Sequence, residues 1–134
     1  MKYMVVLLAV SISLGMVGCK PDLTVESLDI TWDETEKSAM AEISNIGNAD
    51  AGKFLVYFNP EEDPVSSNHR PQVSVPVPSL AKGVTITINA DFEPLAHPDN
   101  DSLANVFKVV VIADPKNMVE ESNEANNEME QPLP

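Results

Sequence analysis

The 134-residue chain carries 21 Asp and Glu against 8 Lys and Arg, a formal net charge of −13 at pH 7, with 43% apolar residues. A surface this acidic repels phosphate backbones and anionic headgroups and concentrates cations, which excludes nucleic acid as a partner. The length suits one compact domain, and a single cysteine excludes an intramolecular disulfide, so the core alone must hold the fold.

Residues 1–18 read as a lipoprotein signal peptide cleaved before Cys19. Lys2 supplies a short positive start, Val5 to Met16 form an apolar run too short for a comfortable membrane span, and Gly15 and Gly18 lead to Cys19. Cys19 is then the lipidation site, and two or three acyl chains give the stable anchoring that one chain does not. Met16 stands where leucine is usual, and an ordinary secretory signal with a coincidental cysteine is the alternative. Residues 19–134 are expected to form a single domain in the cell envelope, lipid-anchored to a membrane and facing outside the cytoplasm.

From Lys20 onward apolar residues recur with a period near two, and eleven prolines interrupt any long helix. "DLTVESLDITW" reads as a first strand whose inward set shifts phase between Val25 and Leu28, predicting a bulge near Ser27. "SAMAEISN" alternates Ala39, Ala41 and Ile43 against Met40, Glu42 and Ser44, and "NIGNADAG" supplies the turn after it. "KFLVYFN" is apolar on both faces, which predicts a central strand; "PEEDPVSSNHRP" reads as a loop, and the proline-bearing "VSVPVPSL" fits only a sheet edge. "GVTITINADF" sets Val84, Ile86 and Ile88 inward and Thr85, Thr87 and Asn89 outward. Asn105 to Ala113 form a sixth strand and "NEMEQ" a short seventh, stopped by Pro132 and Pro134. Seven short strands with turn chemistry between them predict an all-β fold, an immunoglobulin-like β-sandwich of about seven antiparallel strands, with a small β-barrel as the alternative.

The sixth and seventh strands are joined by a stretch dense in oxygen-bearing side chains. Calcium takes six to eight oxygen ligands, and Asp114, Asn117, Glu121, Glu124, Asn126 and Asn127 are the candidate set, although no EF-hand spacing occurs. A second reading needs no ion: a connection crossing from one sheet edge to another leaves backbone N–H groups without ladder partners, and Asn and carboxylate side chains bond them locally, with Met118 and Val119 as an apolar plug beneath. Catalysis finds no support. His69 and His97 each stand beside a proline in a loop and belong to no zinc or triad pattern, and carboxylate pairs such as Glu61-Glu62 carry no information in so acidic a chain. The short last strand leaves the edge beside the sixth strand open to β-augmentation, unless its charges and prolines are there to block it.

"PDLTVESLDI", "ISNIGNADAGKFLVYF", "SLAKGVTITI" and above all "DPKNMVEESNEANN" resemble the cell-adhesion-related domain of bacteria and archaea, CARDB. Its most specific part is Glu121-Ser122-Asn123-Glu124-Ala125-Asn126-Asn127, matching an E-x-N-E-x-N-N signature; the N-x-G-N turn at Asn45, Gly47 and Asn48 is less specific, and L-x-x-G at Leu80 and Gly83 is weak alone. The resemblance implies an immunoglobulin-like extracellular module. The function expected is a membrane-anchored, non-catalytic binding or adhesion-type module presenting acidic loops to an extracellular or envelope protein or a glycan. The alternative is a structural accessory subunit of a cell-envelope complex.

Overall fold

The computed structural model describes residues 19–63, 72–93 and 103–134; the signal segment, His69 and His97 lie outside them. Seven strands form: β1 Leu23–Trp32, β2 Lys37–Asn45, β3 Phe54–Glu62, β4 Val73–Val77, β5 Thr85–Asp91, β6 Val106–Ala113 and β7 Glu128–Pro132. They make two antiparallel sheets, one in the order β1-β2-β5 and the other β4-β3-β6-β7. The expected sandwich is therefore observed. β3 is central and β4 an edge, as the apolar faces of the one and the prolines of the other require.

The core lies between the sheets. Leu23, Val25, Leu28, Ala39, Ala41 and Ile43 line it from one side, and Phe54, Val56, Phe58, Val109, Val111 and Ala113 from the other, all buried. Alanines on the three-stranded sheet leave room for phenylalanines on the four-stranded one within the roughly 10 Å between stacked sheets. Each fully buried Phe contributes about 2–3 kcal/mol by removal of apolar surface from water. Trp32 closes the end of β1 against Phe92, with ring centroids 5.6 Å apart.

The pairing register carries the bulge read from the sequence, shifting between Val25 and Ser27. Other details differ from expectation. β3 runs on through Pro60 to Glu62, past the point where the proline predicted a loop. The reason is which way each residue's backbone faces. Asp114 N–H donates to Leu55 C=O, so alternate β3 residues from Leu55 turn their polar groups to β6, and Pro60, opposite Val109, turns its nitrogen the other way. On that side β4 has already ended, at Val73 opposite Phe58. The missing N–H of Pro60 thus breaks no ladder bond.

Val84, expected inward, is 42% exposed. It belongs to a turn in which its N–H donates to Ala81 C=O and Gly83 takes φ +76°, so β5 begins one residue later. Ser44, expected outward, is buried and shares a 2.6 Å hydroxyl hydrogen bond with Thr85. The edge beside β6 is covered: β7 pairs with it from Lys108 to Ile112.

Candidate functional site: the β6–β7 connection and the entry to β1

β6 and β7 are neighbours in one sheet, so their connection is a long hairpin loop and does not cross between sheet edges as expected. It instead folds over the end of the sandwich onto the chain just ahead of β1. Two side chains organise it. Asp114 is 2% exposed with φ 52°, a left-handed conformation that Asp and Asn tolerate better than other side-chain-bearing residues. Its Oδ1 accepts the Met118 N–H at 2.7 Å and its Oδ2 the Val119 N–H at 2.9 Å, while its C=O accepts the N–H of Asn117, which has φ 51°. Val119 is buried beneath this turn; Met118, expected beside it, is 47% exposed.

Glu121 organises the second half. Its Oε1 accepts the Leu23 N–H at 2.6 Å and its Oε2 the Asn127 Nδ2 at 2.6 Å. Burial pushes its carboxyl up to about 7; the neighbouring Glu124 adds to that, while the bonds from Leu23 and Asn127 oppose it. Around it the loop is stitched to residues 20–22 by the Lys20–Glu120 ion pair at 2.8 Å, the Ser122 N–H on Pro21 C=O at 3.0 Å, and Asn126 Nδ2 on Asp22 Oδ1 at 2.9 Å.

The opposite flank of residues 20–22 is held by the turn after β2. Asn45, fully buried, accepts the Asp22 and Gly47 N–H groups on Oδ1 and donates through Nδ2 to Ala49 and Leu80 C=O. The Asn48 N–H donates to Lys20 C=O. Gly47 packs directly on this strand entry, where a Cβ would collide with Lys20 O and Asp22 N. The two most specific sequence motifs therefore converge, from two sides, on the segment immediately following Cys19. Cys19 itself is exposed.

Of the six candidate calcium ligands, Asp114 and Asn117 share one turn, while Glu121, Glu124, Asn126 and Asn127 gather around the other. Glu124 Oε1 accepts the Glu121 N–H at 3.1 Å. No three His, Cys, Asp or Glu side chains come together as a metal-holding group among the described residues. Asn126 and Asn127 each keep a buried Oδ1 with no hydrogen-bond partner. In the sequence Asn45 is legible only as a turn residue, and nothing marks Asp22 beyond its place at the head of the first strand. The "NIGN" turn was the available signal, but nothing local shows what packs on it.

A family model, CARDB, matches residues 20–131. Among solved structures, the fold is similar to the CARDB domain of the PF1109 protein from Pyrococcus furiosus, solved in complex with di-metal ions, at 16% identity and a TM-score of 0.51, covering 85% of this chain and 87% of that one. It is also similar to the β-glucosidase DesR of Streptomyces venezuelae, solved with D-glucose, at 13% identity and a TM-score of 0.48, covering 84% of this chain but 15% of that one. The β-glucosidase EmGH1 of Erythrobacter marinus gives 15% identity and 0.45, with 84% and 15% covered. No curated protein matches the chain. Among the described residues no helix is long and apolar enough to cross a membrane.

Proposed function

The chain belongs to the CARDB family of adhesion-related, non-enzymatic domains, and from that premise we propose that it is a lipid-anchored extracytoplasmic binding module for an envelope or extracellular protein or a glycan. The observation that carries this reading is the convergence of the E-x-N-E-x-N-N and N-x-G-N residues on Lys20 to Leu23, directly after Cys19. Their side chains hold a chain entry. An entry held in this way, four residues after an anchor, keeps this end of the sandwich next to its membrane.

With Cys19 in the membrane, the β6–β7 loop faces the bilayer. The partner then meets the opposite end, where the turn between β1 and β2 carries Asp33, Glu34 and Glu36 and the end of β5 carries Asp91 and Glu93. Two experiments test this. Cys19→Ser should release the protein from the membrane fraction; retention there would overturn the anchor. Labelled lipid-free domain should bind intact cells, and Glu36→Lys with Glu93→Lys should abolish that binding while Glu120→Lys preserves it. The reverse pattern would overturn the orientation.

A calcium ion at the β6–β7 loop is a second reading, favoured by the two orphaned oxygens of Asn126 and Asn127. Those two oxygens are the candidate ligands, whereas Asp114 and Glu121 already spend both carboxylate oxygens on N–H donors. Calcium should raise Tm and chelator reverse the rise. Indifference to both would remove the ion.

A further inference from the structure

The sandwich has four free sheet edges among the described residues, and three of them carry devices that discourage strand pairing. β1 is bulged between Val25 and Ser27, and its first outward N–H, that of Leu23, is capped by Glu121. β4 contains Pro76, and β7 carries Glu128, Glu130 and Pro132. β5 has none of these over "TITINA": no proline, no bulge and no charge until Asp91.

Its backbone is also set to receive a partner. Phe92 N–H donates to Lys37 C=O and Asn45 N–H to Val84 C=O, which fixes the even-numbered residues as those bonded to β2. Thr85, Thr87, Asn89 and Asp91 therefore turn their N–H and C=O groups outward along the edge, with no strand opposite them among the described residues.

Beneath that edge lies partly exposed apolar surface. Three strands face four, with β1 over β6 and β7 and β5 beside β4. Val73 and Val75 of β4 point the same way as buried Val77 yet are only half-buried, as is Ile86 of β5. The unequal sheets leave a step there. Across the outer face of the β1-β2-β5 sheet, from β1 over β2 to the end of β5, runs an open groove of about 620 Å³ whose lining includes Asp29, Glu36, Asp91 and Glu93. Lys37 stands beside this end, donating to Asp33 C=O at 3.1 Å and lying 3.9 Å from Glu93.

We infer that the outer edge of β5 accepts one extended strand of a partner protein, with apolar residues facing Val73, Val75 and Ile86 and alternating with lysine or arginine that reaches the acidic groove. The main-chain bonds supply affinity and the alternation supplies specificity. A second copy of this chain fits less well, because its own β4 would meet β4 of the first across the same step. The inference deepens the binding role proposed above by naming a surface and a partner class, and it needs no anchor.

The test is amide hydrogen exchange on residues 19–134 with Cys19→Ser, which contain the whole core, alone and with two synthetic peptides of one composition: one alternating Val with Lys and Thr, the other with the valines in a single block. The expected result is fast exchange at Thr85, Thr87 and Asn89 in the protein alone, slowed at least tenfold by the alternating peptide only. Thr87→Pro removes an outward N–H and no bond to β2, so it should abolish the effect while Ile86 and Ile88 stay protected. Thr87→Lys should weaken binding at least fivefold through like charge. Slow exchange in the protein alone would mean that its own chain covers the edge, and slowing that grows with protein concentration would mean a second copy does; either overturns the inference. So does an equal response to the blocked peptide, or no response at millimolar concentration. None of these failures touches the cell-binding and Cys19→Ser tests, which judge the anchored module separately.

Discussion

The carboxylate of Glu121 accepts the amide of Leu23 at 2.6 Å, joining the β6–β7 connection to the first residue of β1 across 98 positions of sequence. Glu121 is 6% exposed, so the bond lies out of water and its strength depends on the protonation state of a buried acid.

That dependence has a definite sign. Burial raises the Glu121 carboxyl from 4.5 to about 7, so the folded chain holds this proton more tightly than the unfolded one. The associated stability is fully present below pH 4.5 and is lost as the pH rises through about 7. Glu121→Gln mimics the protonated form. Urea unfolding of both proteins should show wild type losing on the order of 2–3 kcal/mol relative to the variant between acid and mildly alkaline pH. A pH-independent difference would refute the assignment.

Two glycines should respond differently to alanine. At Gly47 a Cβ meets Lys20 and Asp22 backbone atoms that cannot swing away, whereas at Gly52 nothing stands within 4 Å. Gly47→Ala should cost about 2 kcal/mol or more and expose Lys20 to early proteolysis. Gly52→Ala should fall within about 0.5 kcal/mol of wild type by thermal denaturation.

Asn45 is replaceable by shape but not by chemistry. Asn45→Asp keeps the acceptor for Asp22 and Gly47 and sets an oxygen against the Ala49 and Leu80 carbonyls. Loss of about 3 kcal/mol or more is expected, as for a buried charge facing acceptors. A Tm close to wild type would show that the turn rearranges.

Proline position in β3 offers a register test. Pro60 is accommodated because its nitrogen faces away from β6, whereas Asn59, opposite Val110, faces it. Asn59→Pro should destabilise by roughly 3 kcal/mol through a lost ladder bond. Pro60→Ala should change denaturant midpoints little.

Legibility in the sequence followed the range of the interactions. Alternation in "SAMAEI" and "KFLVYF" is a local consequence of the two-residue pleat, so the inward sets Ala39, Ala41, Ile43 and Phe54, Val56, Phe58 could be read directly and are all buried. Even the bulge near Ser27 was visible as a phase shift. Pro60 misled because the cost of a proline depends on which neighbour its nitrogen faces, and Val84 because the Gly83 turn delays β5. The sequence left open whether the edge beside β6 was free or blocked; β7 covers it and β5 ends the other sheet, since edge status belongs to the sheet and not to the strand.

The sequence by itself determined that this chain is a disulfide-free, acidic, all-β sandwich with its signature residues in the loop before the last strand, because side-chain polarity and turn chemistry act over neighbouring residues. Only the tertiary structure decided what that loop does. Glu121 and Asn126 meet Leu23 and Asp22, and Asn45 meets Asp22, through contacts between segments far apart in the chain, which the packing of the two sheets brings within hydrogen-bond range.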